Sequence, residues 1–215
     1  MNYSDSGLER YILNHTSPQD PILAELERST WLKTVHPQMI TGHLQGMILE
    51  MISHMIRPER ILEIGTFTGY STICLAKGLA DNGNLITIER DDEITDFAHG
   101  FIKKSGLGDQ ISLLIGDARE IIPTLEDTFD LVYMDADKDE YLEYYKLVFP
   151  KLNNGGFIMA DNALWGGKVL EVPESGDHFT KGVIAFNRTI SEDPLVEQVI
   201  LPVRDGIMLI RKKLS

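Results

Sequence analysis

Apolar residues recur along this chain at two different periods, and the change from one to the other falls near residue 58. Upstream, Leu44, Met47, Ile48, Met51, Ile52 and Met55 repeat every three or four positions, a spacing that lines one face of a helix. The first 57 residues therefore read as helices broken at Ser17-Pro18 and His36-Pro37, with that stripe expected as plain core. From Arg60 onward, short β-rich runs alternate with helical stretches: RILEI, NLITIE, ISLLI, FDLVYMD and GGFIMAD. Such alternation predicts βαβ crossovers and a parallel sheet covered by helices on both faces. The last two apolar runs, VEQVILPV and GIMLIRKK, meet at a short turn around Arg204-Asp205-Gly206 and predict a closing antiparallel hairpin.

Acids occupy the candidate strand ends at Glu63, Glu89, Asp117, Asp135 and Asp161, and ligands of open α/β sheets bind at strand C-termini. The first strand runs into a glycine-punctuated turn, ILEIGTFTGYST. Gly65 and Gly69 let backbone approach a ligand closely, and Thr68 or Ser71 can cap the following helix. A phosphate-binding loop needs GxxxxGK[ST], and the lysine is missing. A dinucleotide site needs GxGxxG, whereas this run is GxxxG with Glu63 placed to repel a pyrophosphate. Glu63 can instead accept hydrogen bonds from a cationic amine, and Glu89, ending the next strand, can take two ribose hydroxyls. An amine and a ribose without a pyrophosphate describe S-adenosylmethionine.

Composition narrows the field further. A chain of 215 residues, 43% hydrophobic and 25% charged, suits a single globular domain, with residues 1–57 as N-terminal helices and 58–215 as the α/β core. No apolar stretch approaches the roughly 20 residues that span a bilayer, and MNYSDSGLER lacks the basic start and apolar core of a signal peptide, so the expectation is a cytoplasmic protein without membrane contact. The lone Cys74, inside ICLA, reads as a small core residue. A net charge of −13 argues against broad adhesion to nucleic acid. The nearest basic clusters are Lys103 with Lys104, and Arg211, Lys212 and Lys213.

Taken together, LEIGTFTGYST, IGDARE, YMDADK and ADNALWGGKV, in that order and spacing, resemble the cation-dependent O-methyltransferases related to caffeoyl-CoA and catechol O-methyltransferases. The resemblance covers most of the chain, reaching upstream to Met39, Thr41 and Gly46 and downstream into RDGIMLIRKK. It implies a Rossmann-like class I methyltransferase fold: a mostly parallel seven-stranded α/β sheet, a C-terminal antiparallel hairpin and extra N-terminal helices. It also implies S-adenosylmethionine contacts at Thr41, Glu63, Gly65, Thr66, Ser71, Glu89 and Ala118, with Asp137 near the methionine end. Trp165 is expected at the mouth of the acceptor pocket, and a homodimer is expected because such relatives are commonly dimers.

Asp135, Asp161 and Asn162 offer hard oxygen ligands from adjacent strand ends, a set for Mg²⁺, Mn²⁺ or Ca²⁺ rather than zinc. Strand-end aspartates also cap helices, and it is the family's pattern that assigns all three to metal, magnesium first. A divalent ion beside two neighbouring hydroxyls of a catechol-like acceptor favours the oxyanion that methyl transfer requires. Lys138 is then the candidate base, its pKa expected to be pushed down by a dication and by desolvation. Met47 and Gly166 depart from plant members, which carry glutamine and asparagine there, so the acceptor stays open. The stretch from about 172 to 180, VPESGDHFT, reads as a loop near the site. His36, His43, His54 and His99 read as helix-surface or boundary residues. Competing readings are a tRNA hydroxyuridine O-methyltransferase, a non-catalytic nucleoside-binding module and a nicotinamide oxidoreductase, the last opposed by the absent GxGxxG.

Overall fold

Residues 6–214 are described by a computed structural model. Three helices lead: α1 (Ser6–Asn14), α2 (Pro21–Lys33) and α3 (His43–Ile56). The proline breaks lie between them, with Asp20 capping α2 by accepting the Ile22 amide at 2.8 Å and a single 3₁₀ turn at Pro37–Met39. Then follow β1 (Arg60–Ile64), α4 (Tyr70–Ala76), β2 (Asn84–Glu89), α5 (Asp92–Lys104), β3 (Ile111–Ile115), α6 (Ala118–Ile121) and β4 (Phe129–Met134). The chain closes with α7 (Tyr141–Val148), β5 (Leu152–Ala160), α8 (His178–Glu192), β6 (Val196–Leu201) and β7 (Ile207–Lys212).

The seven strands form one sheet in the order β3-β2-β1-β4-β5-β7-β6, parallel through β5 and antiparallel where β7 pairs with β5 and β6. This is the α/β sheet and closing hairpin that the runs of apolar residues predict. Its strands are apolar on both faces because both are covered. Leu62, Val132, Met134 and Ile158 pack toward α6, α7 and α8, while Ile61, Leu85, Leu131 and Met159 pack toward the N-terminal helices and α4. Cys74 lies in that second layer, and burial pushes its thiol well above the ordinary range, as suits an inert core residue.

Two expectations need correction. The α3 stripe is not plain core: Met51 and Met55 are 55% and 80% exposed, and the fully buried face is Gln45, Gly46, Leu49 and Ser53. The seam follows its small residues, because a Cβ on Gly46 would stand 2.6 Å from the Tyr70 ring and 2.9 Å from Cys74 Sγ. Ser53 completes the contact by donating to the Leu75 carbonyl at 2.7 Å. The second correction concerns α4, which neither Thr68 nor Ser71 caps: Gly69, at φ +87°, takes that position without a side-chain bond. Ser71 lies inside the first turn instead.

Candidate functional site

At the C-terminal ends of the parallel strands the sheet opens into a cavity of about 930 Å³. Thr41, Gly65, Thr66, Ser71, Glu89, Ala118, Asp135, Asp137, Lys138, Asp161, Asn162 and Trp165 all line it. Of the residues that the resemblance assigns to cofactor, metal, acceptor or proton transfer, Glu63 alone stays behind the wall. It is fully buried, and its Oε2 accepts from Thr72 at 2.5 Å and Thr87 at 2.7 Å. Thr87 spends its one hydroxyl proton there, so the 2.5 Å contact with Thr66 must be a bond that Thr66 donates. Oε1 of Glu63 has no partner among the described residues. Burial raises the Glu63 pKa to about 7 against the hydroxyls of Ser71, Thr72 and Thr87, which lower it.

The glycine turn is shaped by close approach. Gly65 sits at φ +93°, and any Cβ there would strike the Asp135 carbonyl, so β1 and β4 can end side by side only with glycine at this position. Glu89 is fixed by three backbone amides: Thr66 at 3.1 Å and Phe67 at 2.7 Å on Oε2, and Asp91 at 2.9 Å on Oε1. Asp117, the remaining strand-end acid, does structural work. It caps α6 and is gripped by Arg119 at 2.6 Å and Arg90 at 3.2 Å, and hydrogen bonds from Arg119 hold its carboxyl well below the usual range. Arg90 also reaches Asp137 at 2.7 Å and Glu140 at 2.9 Å, tying together the loops after β2, β3 and β4.

Asp135 directly follows β4, and Asp161 and Asn162 directly follow β5. Asp161 is buried, and its Oδ2 accepts from Gln45 at 2.6 Å and from Tyr133 at 3.1 Å, while its Oδ1 accepts the Asn162 amide at 2.8 Å. Burial first, and then the Asp135 charge, hold the Asp161 carboxyl above the ordinary range. Asn162 takes left-handed backbone at φ +56° and donates its side-chain nitrogen to Asp205 at 3.2 Å, which leaves its amide oxygen as the atom to offer a ligand. Two repelling carboxylates and an amide oxygen fit a hard divalent cation. Among the described residues no three His, Cys, Asp or Glu side chains form a metal cluster, so a cation here depends on Asn162.

Lys138 is buried, donating to Asp135 Oδ1 at 2.8 Å and to the Tyr141 hydroxyl at 2.7 Å. Tyr141 in turn donates toward the carbonyls of Met134 and Asp161, both at 3.1 Å. Burial pushes the Lys138 pKa down as expected, but Asp135 and Tyr141 outweigh it and the net shift is upward. Trp165, at φ +47°, stands 6.2 Å from Phe179, and its indole N–H is buried without a partner among the described residues. Its loop is stitched to the hairpin turn: Asp205 accepts the amides of Leu164 at 2.8 Å and Gly166 at 2.6 Å. The predicted loop 172–180 is helical from His178, the start of α8, and its Phe179 lines the cavity.

Sequence reasoning missed Gln45, Tyr141, Arg90, Arg204 and Asp205. Only Tyr141 left a local signal, three residues beyond Lys138; the others act across long separations in the chain. His36, read as a boundary residue, lines the cavity as well. None of Lys103, Lys104, Arg211, Lys212 and Lys213 does, and Lys104 is paired with Glu25.

A model of the O-methyltransferase family matches residues 13–213. Caffeoyl-CoA O-methyltransferase 1 of Eucalyptus globulus is 31% identical over 97% of this chain and 89% of its own. The caffeoyl-CoA O-methyltransferase of Petroselinum crispum is 32% identical over 96% and 90%. Among solved structures, the O-methyltransferase TomG from Streptomyces achromogenes, in complex with SAM, superposes with a TM-score of 0.88 at 27% identity, covering 96% of both chains. An O-methyltransferase from Bacillus cereus in complex with SAH has the same TM-score and identity over 96% and 97%. The chain belongs to the O-methyltransferase family and is a methyl-transferring enzyme similar to the caffeoyl-CoA O-methyltransferases.

Proposed function

We propose that this enzyme transfers the methyl group of S-adenosylmethionine to one hydroxyl of a catechol-like or caffeoyl-type small molecule, in a reaction that depends on a divalent cation, magnesium first. The observation that carries the reading is convergence: Asp135, Lys138, Asp161 and Asn162 face the same cavity as Gly65, Glu89 and Ala118. S-adenosylmethionine supplies a methyl carbon already activated on sulfur. A cation held by Asp135, Asp161 and Asn162 supplies positive charge that favours the ionised form of a neighbouring hydroxyl.

The chain's own groups do the rest. Glu89, immobilised by three amides, keeps about one acceptor direction, on Oε1, for a ribose hydroxyl, since a carboxylate has about four. Thr41, Ser71 and Ala118 close the cavity around the nucleoside and methionine ends, and Asp137 offers a carboxylate to an ammonium. Lys138 is the proton carrier. Tyr141 fixes its Nζ, burial favours its neutral amine, and Asp135 maintains the ammonium, so neutralising Asp135 brings Nζ toward proton-accepting range. The remaining catalytic task is alignment of oxygen, carbon and sulfur, for which a walled cavity is suited.

The test is methyl transfer from labelled S-adenosylmethionine to a catechol panel with Mg²⁺ and with a chelator. Chelation should abolish product, Lys138→Ala should lower kcat by about 10²-fold or more, the usual scale for losing a proton-transfer group, and Asp135→Ala, which removes a cation ligand, should raise the Mg²⁺ concentration needed for activity. Product that forms equally well with chelator removes the cation from the reaction.

A further inference from the structure

We infer that the acceptor is compact and uncharged, with an apolar tail, and that coenzyme A thioesters are disfavoured; this rests on the catechol reading above and narrows it. The first support is the sign of the cavity. Carboxylates line it at Glu89, Asp91, Glu93, Asp135, Asp137, Asp161 and Asp205. Against them stand the side chains of Lys33, Arg90, Lys138 and Arg204, with His36.

The second support is that Arg90, Lys138 and Arg204 are engaged. Arg90 binds Asp117, Asp137 and Glu140. Lys138 binds Asp135 and Tyr141, and Arg204 donates to the carbonyls of Ile40 and Thr41. Lys33 is exposed, with its Nζ 6.0 Å from the Phe97 ring, and is the one lysine of the lining without an acidic partner among the described residues. The segment beyond Trp165 adds no positive field: Lys168 faces Asp177 at 3.9 Å, Lys181 donates to the Ser175 carbonyl, and Glu171 and Glu174 are exposed. A sulfonium cofactor and a divalent cation together offset the excess of the seven carboxylates over the four cations, and no surplus of positive charge is left for the phosphates of a coenzyme A tail. The whole chain, at −13, reinforces the same sign.

The third support is what surrounds the opening. Val35, Met39 and Phe179 line the cavity and yet are 88%, 57% and 46% exposed, which puts three large apolar side chains at its mouth. Trp165 adds an aromatic wall. Apolar groups left in water around a concave site are matched by an apolar ligand tail.

The experiment compares three acceptors made from one catechol-bearing acid: its methyl ester, its N-acetylcysteamine thioester and its coenzyme A thioester. The last two share the reactive end and differ in the phosphates. kcat/KM is measured at fixed excess Mg²⁺ and at low and physiological ionic strength, where the Debye length falls from about 30 Å to about 8 Å. The truncated thioester should exceed the coenzyme A thioester by about tenfold or more at low salt, and added salt should narrow the gap by relieving repulsion of the phosphates alone. A coenzyme A thioester used as well as or better than its truncated partner, or one whose kcat/KM falls as salt is added, overturns the inference and leaves the catechol reading standing. No transfer to any of the three, while calorimetry shows S-adenosylmethionine bound, overturns the catechol reading and this inference with it.

Discussion

Glu63 carries a carboxyl into a fully buried position where two threonine hydroxyls meet one oxygen and the Ser71 hydroxyl adds to their pull. Its pKa, about 7 in the fold and near 4.5 in an unfolded chain, fixes the sign of a pH effect. Between those values the folded state holds a proton that the unfolded state has lost, so this group's contribution to stability falls as pH rises from about 4.5 through 7. Glu63→Gln removes the titration. Relative to wild type, the variant should gain up to about 3 kcal/mol between pH 5 and pH 7.5, at ~1.4 kcal/mol per pKa unit. Denaturant melts of both proteins at the two pH values read this directly, and a stability difference that does not change with pH would refute it. The motif made this residue visible, but burial decides its surroundings, and burial is a property of α4 and β2 closing over it.

At the scale of elements, the lysine turn is held from outside the site. Gly182 of α8 lies so close to Lys138 and Asp139 that a Cβ there would strike the Lys138 carbonyl and come within 2.5 Å of the Asp139 Cα. Gly182→Ala must therefore displace the turn or the helix. Because displacements of ~1 Å can cost up to about 10² in rate, kcat should fall by about tenfold or more while the protein remains folded. Stopped-time assays beside thermal melts check it, and an alanine variant with unchanged kcat would show that α8 does not position Lys138. The elements themselves were legible: RILEI, NLITIE and ISLLI coincide with β1 to β3, and FDLVYMD passes the end of β4 by Asp135 alone, because β-rich runs between turn residues carry their own signal. The α3 stripe was misread as core for a related reason. Periodicity shows that a helix has an apolar face, whereas the face that is buried depends on the neighbour, and here Gly46 admits Tyr70.

Across the whole molecule, the C-terminal hairpin reaches back to the N-terminal helices. Arg204, in the turn between β6 and β7, donates to the carbonyls of Ile40 and Thr41, just before α3 and at the cavity wall. Arg204→Ala leaves those carbonyls without this donor, at a cost of about 1–3 kcal/mol for buried acceptors. The variant should melt earlier and bind S-adenosylmethionine several-fold more weakly by calorimetry, because Thr41 loses its anchor. Unchanged affinity would mean that the N-terminal segment keeps its place without the clamp. Gln45 makes a parallel link, from α3 to Asp161 at 2.6 Å, so the N-terminal layer supports both ends of the site.

Alternating β and helical runs were enough to derive the parallel sheet and its hairpin, and the glycine turn and strand-end acids were enough to bring Gly65, Ser71, Glu89, Asp135 and Asp161 to the cavity, since each of these signals is local; Thr41, Thr66, Ala118, Asp137 and Trp165 came from the family resemblance. The partners of those residues came only from the folded chain. Gln45 on Asp161, Arg204 on Thr41, Arg90 on Asp137 and the Lys138 pair that sets the direction of its pKa join segments or balance charges through space. A hydrogen bond between residues 116 positions apart leaves no periodicity to read, and a pKa depends on the competition between burial and neighbouring charge that packing alone establishes.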